Sequence, residues 1–474
     1  MSCLCQAAYL SPTITFCCFF PNRDLAGHIA GRRFCLGPEL PIAKVVENNH
    51  GYGKDWLLKT CIAAVSLVIL LGQPLLADTD LSYSGEVRYR SEVDRRAFDP
   101  DFTTQFYDIL RTRVGIEAVV DSNTRAFVQL QDSRTLGGKD QFGQFQSGTL
   151  NDGEGVDVHQ AYLQINRVWY DGVGFKAGRF EFTMGNERVF GAVGWSNVGR
   201  AWEGAQVWYA TEKFRATGFS LKLQEENDPY FNRDFDLLGA LLRFEQPGLE
   251  LFGVFERDQD TTGVADVNDN ALDRFTFGLY WQHRFDNWNF VVNGAYQTGK
   301  VIDSLDIQAF MATGEIGYTF DGAGEVYLAL GADYTSGDNN PNDTKYEAYD
   351  NLYYTGHKFR GYMDYFIASD SAGLIDLIMR GRANVFPNWQ VALDGHYFQT
   401  AQDYVELADS TMTTKVGMEA DFSIATSSVR GIMLQSGISV FVPQEAFVRA
   451  SLNDPASTDH DPTVWSYFQA TVSF

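Results

Sequence analysis

Arginine side chains at alternate positions are the feature of this sequence that best predicts chemistry. One residue separates Arg111 from Arg113, and one separates Arg380 from Arg382. Glu117 lies four residues after Arg113. A guanidinium group binds a carboxylate through two parallel hydrogen bonds. Interspersed acidic groups would keep such binding weak enough to permit release. These residue types therefore predict reversible binding of anions.

The residues that most enzymes use are not arranged as a catalytic site. The chain has no Gly-x-Ser-x-Gly motif, which marks one large class of serine hydrolases. Residues 172–177 match a loose dinucleotide fingerprint, but a strand pattern follows where a helix should begin, so we interpret them as a turn. His159 and His396 are interpreted as polar groups of a wall, not as bases. The sequence therefore predicts that the protein is not an enzyme.

Two loops rich in Asp and Asn, residues 338–343 and 266–270, could hold Ca²⁺. Both lack the glycine and the distal glutamate of an EF-hand loop. The chain also has no spacing typical of a zinc site. We interpret the two segments as solvated surface loops and expect no cofactor.

The elements that position the arginines are strands with one apolar and one polar face. In residues 110–120 the even positions are apolar or Thr and the odd positions are mostly charged. Residues 274–282 and 376–385 show the same alternation. Successive side chains of a strand point to opposite faces. Arg111, Arg113, Arg380 and Arg382 are therefore predicted on polar faces, and Arg125 also.

The links between such strands alternate between short and long. The short links are residues 121–123, 170–172, 211–213, 246–248, 286–287, 321–324, 387–388 and 425–428. The longer ones lie near residues 97–104, 136–155, 181–201, 225–234, 259–271, 301–306, 336–375, 400–412 and 443–462. This predicts an all-β protein, a transmembrane up-and-down antiparallel barrel of about 18 strands, with 16 possible. Both termini are predicted on the short-turn rim, where aromatic residues gather as at a membrane interface. The alternative is a soluble secreted β-protein whose aromatic residues fill a core.

The first 77 residues are interpreted as outside the fold. A positive flank, a short apolar run and a small residue at Ala77 predict a signal peptide over residues 57–77. Residues 1–56 are interpreted as a spurious extension from an upstream start codon, which leaves residues 78–474 as the barrel. All six cysteines precede residue 62, and the net charge of −24 argues against nucleic-acid binding.

Several segments resemble the alginate export porin family. They are FYDILRTRVG (106–115), TRAFVQLQDSR (124–134), AGRFEF (177–182), GNER (185–188), WSNVGRAWEG (195–204), DYTSGD (333–338), LY (352–353) and HKFRGYMD (357–364). The resemblance implies an 18-stranded barrel that carries alginate across the bacterial outer membrane. The final strand ends in Phe474 and resembles the signal that the barrel assembly machinery recognises. Outer-membrane lipid and lipopolysaccharide are the other expected partners.

A barrel of this size leaves a water-filled lumen, and one long loop, residues 181–201, is expected to fold into it as a constriction. We expect an arginine-rich lumen that conducts an anionic polysaccharide or small anionic solutes. The predicted pore-lining residues are Arg111, Arg113, Arg125, Glu117, Arg134, Arg179, Glu187, Arg188, Arg200, Glu203, Arg380 and Arg382. Three alternatives stay open at this point. The charged groups could instead pair with each other to hold the wall and the loop. The barrel could also be a general diffusion porin, or an enzyme or surface-binding protein acting through residues 336–375.

Overall fold

A computed structural model of the chain describes residues 79–99, 101–136, 156–225, 234–259, 272–302, 304–322, 324–458 and 460–474. The predicted extension 1–56 and signal peptide 57–77 lie outside these residues, as does the acidic segment 266–270. Within the described residues, no helix combines the length and the apolar character needed to cross a membrane.

Nineteen strands are present in the described residues. They are β1 (Asp80–Arg95), β2 (Gln105–Val119), β3 (Thr124–Thr135), β4 (Val156–Ile165), β5 (Val173–Phe180), β6 (Trp202–Ala210), β7 (Phe214–Gln224), β8 (Phe235–Phe244), β9 (Leu249–Asp258), β10 (Leu272–Phe285), β11 (Trp288–Ile302), β12 (Leu305–Phe320), β13 (Val326–Thr335), β14 (Lys345–Tyr346), β15 (Leu374–Phe386), β16 (Trp389–Val405), β17 (Met412–Val429), β18 (Ile432–Pro443) and β19 (Thr463–Ser473). One α-helix, α1 (Glu445–Leu452), lies between β18 and β19, and a 3-10 helix spans Gly356–Lys358.

Eighteen of these strands form a closed antiparallel ring. Each pairs with its neighbours along the chain, β13 pairs with β15, and β19 pairs with β1 to complete the circle. The two-residue β14 pairs in parallel with β12 and lies outside the ring. Closure leaves no strand edge with unpaired backbone groups, which is the condition for strands to cross a bilayer. The predicted barrel of 18 strands is confirmed.

The two faces of the ring differ as the alternation predicts. In β2, Val114 and Ile116 are exposed on the outside, while Arg111, at an odd position of the same strand, points inward and is 4% exposed. Apolar side chains cover the outside because lipid contacts it there. Further outward residues are Val87, Val128, Leu130, Phe277, Leu330, Leu377, Met379, Leu393, Phe422 and Ile438.

Short turns and both termini share one rim, and the long connections share the other. Two predicted links are wrong. Residues 301–306 are not a long link, because β11 continues to Ile302 and pairs there with Leu305 of β12. The turn predicted at 425–428 lies instead at 430–431, where Gly431 has the positive φ of 76° that a tight turn requires.

The predicted aromatic girdle at the short-turn rim is largely present. Trp169, Phe285 and Phe386 are 92%, 62% and 69% exposed. Trp208 is an exception, because it points into the barrel and is 7% exposed.

Two long connections lie inside the ring. We name residues 181–201, between β5 and β6, loop A, and residues 336–373, between β13 and β15, loop B. Both contact inward-facing side chains of the wall and each other. The main buried clusters of the protein therefore lie within the lumen, between wall and loops, and not between two layers of sheet.

Candidate functional site

Two inward arginines of the wall hold the tip of loop A. Arg88 of β1 donates to the carbonyl oxygens of Gly194 at 2.8 Å and Ser196 at 2.7 Å. Arg111 of β2, paired with Arg88 in register, donates to the same two oxygens at 3.1 and 2.9 Å. Each arginine is 4% exposed. Arg111 points inward as predicted, but loop A covers it.

Arg90, at the next inward-facing position of β1, also holds the tip of loop A. It donates to the carbonyl oxygen of Trp195 at 3.0 Å and lies 4.1 Å from the centre of the Trp195 ring. Its counter-charge is Glu92, at 2.7 Å. Arg88 and Arg90 are not among the predicted pore-lining residues, although their alternate spacing in β1 is the same signal that identified Arg111.

Arg113 and His159 hold the beginning and end of loop A. Arg113 lies 3.2 Å from Glu181 and donates to the carbonyl oxygen of Val198 at 3.2 Å. His159 lies 2.9 Å from the same carboxylate. Burial raises the pKa of Glu181, but the His159 hydrogen bond and the Arg113 charge outweigh it, so the pKa is below its ordinary value. His159 is a lumenal wall group, as predicted.

An apolar cluster fixes the rest of loop A against the opposite part of the wall. Phe182, Met184 and Phe190 of the loop pack on inward side chains of β5 to β9. The wall side chains are Phe180, Trp202, Phe219, Leu221, Leu237, Leu241 and Val254. The lumen is therefore apolar in this sector, which the prediction of a wet inner face did not include.

Loops A and B are joined through their backbones. The Gly191 N–H donates to the Tyr353 carbonyl at 2.9 Å, and the Tyr353 N–H donates to the Val189 carbonyl at 3.0 Å. Arg200 donates to the Tyr353 carbonyl as well. Burial lowers the pKa of Arg200 to about 10. Glu187 accepts from the Thr355 hydroxyl at 2.6 Å, so Arg200 and Glu187, two of the three predicted residues in loop A, bind loop B.

Aromatic rings add a second junction between the loops. The ring centres of Trp195 and His357 are 4.5 Å apart with an interplanar angle of 7°. Tyr362 lies on the other side of His357, at 4.8 Å. The two loops therefore form one connected body inside the barrel.

Carboxylates of β17 hold loop B. Glu419 accepts from the Met363 N–H at 2.9 Å, and Asp421 accepts from the Tyr362 N–H at 3.4 Å. The neighbouring Gly361 has a φ of 79°, and a Cβ there would lie 2.3 Å from the Glu419 carboxylate. Both acids are nearly fully buried. Neither is among the predicted pore-lining residues, although Glu419 and Asp421 alternate with apolar residues.

Next to Asp421, the second predicted histidine faces the lumen. His396 lies 2.8 Å from Asp376 and 3.9 Å from Asp421. Its interpretation as a wall polar group agrees with these contacts.

A polar cavity of about 270 Å³ remains between the loops and the wall of β11 to β15. Arg380 lies 3.1 Å from Glu315, and Arg382 donates to Asp394 at 2.8 Å. Lys358 of loop B also lines the cavity, and its side chain is 49% exposed. The remaining charged residues of the lining are Arg188 and Asp333, which form an ion pair.

Three predicted pore-lining residues lie on the outside of the barrel. Arg134 shares the outward face of β3 with Val128 and Leu130, and it donates to Asp132 at 2.7 Å. Arg179 and Glu203 pair with each other across β5 and β6 at 2.9 Å, on the face opposite Phe180 and Trp202. These predictions are wrong, because the strand alternation places the three side chains away from the lumen.

The two remaining predicted residues do point inward. Arg125 and Glu117 lie 3.5 Å apart on β3 and β2, near the short-turn rim. Arg125 keeps 37% of its side chain exposed.

The acidic loop at residues 338–343 uses its carboxylates locally. Asp338 accepts from the Asn340 N–H at 3.1 Å, and Asp343 accepts from the Lys345 N–H at 2.7 Å. Among the described residues, no group of three or more acidic, histidine or cysteine side chains is arranged to hold a metal ion.

Comparison with known proteins identifies the relatives of this chain. A family model described as alginate export matches residues 79–426. A search of curated protein sequences found no match.

Three solved structures of Pseudomonas aeruginosa proteins share the fold. OccK9 (OpdG) is 13% identical with a TM-score of 0.54, over 83% of this chain and 98% of that one. OccK3 (OpdO) is 12% identical with a TM-score of 0.55, over 86% and 99%. OccK2 (OpdF), solved in complex with glucuronate, is 11% identical with a TM-score of 0.50, over 83% and 98%.

Proposed function

This chain belongs to the alginate export family, and from that premise we propose that it is a passive channel that conducts an anionic polysaccharide or small anionic solutes and catalyses no reaction. The family and the closed barrel locate it in the bacterial outer membrane. Short turns face the periplasm and long loops the exterior in such barrels.

The observation that supports anion passage is the set of partly exposed cations around the polar cavity. Arg382 and Lys358 keep 25% and 49% of their side chains exposed. Arg111 and Arg88 contribute little to direct contact, because loop A covers them. OccK2, solved in complex with glucuronate, offers a chemical parallel. Glucuronate is a sugar that carries one carboxylate, and so is each unit of alginate.

Planar bilayer recordings test the proposal. We expect discrete current steps with a preference for anions, and block by alginate oligomers at concentrations where neutral glucans have no effect. The double variant Arg382→Gln with Lys358→Gln should lose anion preference, because it removes two cations that water and solutes reach.

The matched control is Arg134→Gln with Arg179→Gln, which removes the same charge from the outer face. Strong cation selectivity of the unmodified channel would contradict the proposal. Anion preference with equal block by charged and neutral oligomers would indicate a general diffusion porin.

A further inference from the structure

Four cations form a row on the inner wall near the short-turn rim. Arg125, Lys176, Arg215 and Arg243 lie on β3, β5, β7 and β8, and we name them the basic arc. Arg125 is in register with Gln164, which is in register with Lys176. Arg215 is in register with Arg243. This pair lies four residues nearer the short turns than the level of Lys176, which is in register with Gln206 and through it with Phe219. Since neighbouring strands lie ~4.8 Å apart, the arc covers roughly 20–25 Å of wall.

Two members of the arc have no carboxylate partner within the part of the chain that the structure describes. Lys176 lies 3.8 Å from the centre of the Tyr162 ring, and Arg215 lies 4.3 Å from that of Trp208. Trp208 lies flat on Gly174, where a Cβ would meet its ring at 2.2 Å. Both charges therefore rest on aromatic faces and keep hydrogen-bonding capacity for another group.

The outer members are paired but accessible. Arg125 lies 3.5 Å from Glu117, and Arg243 lies 2.6 Å from Glu250. Their side chains are 37% and 40% exposed. The arc therefore carries more positive charge than its neighbours neutralise.

The position of the arc places it at the periplasmic mouth. Lys176 on β5 and Arg215 on β7 lie nearer the short turns than Phe180 and Phe219 of the same strands. These two phenylalanines belong to the apolar cluster under loop A. A solute entering from the periplasm would meet the arc before it reaches the two loops.

We propose that the basic arc is the periplasmic docking site for an anionic polysaccharide, where several successive carboxylates pair with its cations and sugar faces stack on Tyr162 and Trp208. The inference rests on the proposed function and specifies where the substrate first binds. A single exposed ion pair stabilises a complex only weakly. A row of four favours a polymer over a monomer, since each later contact is intramolecular.

Side-specific block by alginate oligomers tests the docking site. With the six cysteines, which all precede residue 62, replaced by serine, a single Glu212→Cys on a short turn permits the orientation of each channel to be assigned with an impermeant thiol reagent. We expect the unmodified channel to be blocked at lower oligomer concentration from the short-turn side. Lys176→Gln with Arg215→Gln should raise that concentration about tenfold, and change block from the loop side less than twofold.

The control is again Arg134→Gln with Arg179→Gln on the outer face, which should leave both values unchanged. If the first pair of substitutions prevents folding, Arg125→Gln with Arg243→Gln serves instead, because these side chains are more exposed. Block that is equal from both sides, or unchanged in the variants, overturns the docking site while leaving the channel proposal intact. An open channel with strong cation selectivity that no alginate oligomer blocks from either side overturns both.

Discussion

Loops A and B are held by wall charges of opposite sign. On β1 and β2, Arg88 and Arg111 donate to backbone carbonyls of loop A. On β17, Glu419 and Asp421 accept from backbone N–H groups of loop B. A guanidinium group donates to carbonyl oxygens, and a carboxylate accepts from N–H groups. Both kinds of hydrogen bond satisfy backbone groups that burial would otherwise leave unpaired.

Charge on the inner wall therefore does not by itself indicate the substrate. The arginine-rich sector follows from the carbonyl groups at the tip of loop A, and the acidic sector from the N–H groups around Met363. Cations that could act on solutes lie elsewhere, at Arg382, Lys358 and the basic arc.

The largest effect is expected where the arginine sector is removed. Arg88→Met with Arg111→Met deletes four hydrogen bonds to Gly194 and Ser196. Hydrogen bonds to charged groups contribute ~1.5–3 kcal/mol each, so the tip of loop A should detach. Single-channel current should become larger and noisier. A current that matches that of the unmodified channel would show that these contacts do not hold the loop. Arg134→Met, which makes the same substitution on the outer face, is the control.

A smaller effect is expected from the acidic sector. Glu419→Ala removes one charged acceptor from the Met363 N–H, at a local cost of ~1.5–3 kcal/mol. Amide hydrogen exchange at Met363 should accelerate by roughly tenfold or more, while conductance changes less than in the arginine variant, because loop A still binds loop B.

Glu419→Gln refines this test. The amide keeps an acceptor oxygen without the charge, so exchange at Met363 should lie between the unmodified protein and the alanine variant. Equal exchange in all three proteins would mean that loop B does not depend on this carboxylate.

The smallest effect on conductance is expected at Tyr353, a residue of loop B that binds loop A. Tyr353→Phe deletes the hydroxyl that donates to Glu256 at 3.0 Å, worth ~1.5–3 kcal/mol with a charged acceptor. The backbone bonds of Tyr353 to loop A remain, so conductance should be unchanged and the midpoint of thermal unfolding should fall slightly. A larger and noisier current would instead show that this one hydroxyl keeps the loops in place.

Much of the fold was readable from the sequence because strands in lipid obey one simple rule. Alternation correctly oriented Arg111, Arg113 and Arg380, and the link lengths indicated 18 strands. The same rule, continued along β3 and β17, places Arg134 on the outer face and Glu419 on the inner face. The physical signal for both residues is therefore present in the sequence.

The alternating faces, the even number of strands, the two kinds of rim and the resemblance to a family all follow from the amino-acid sequence. Which inward charges stay open to solvent and which hold a loop depends on how the chain folds. The reason is that the partners of Arg88, Arg111, Glu419 and Asp421 are backbone carbonyl and N–H groups, which every residue carries. No pattern of side chains can therefore reveal that pairing before the chain closes around its own loops.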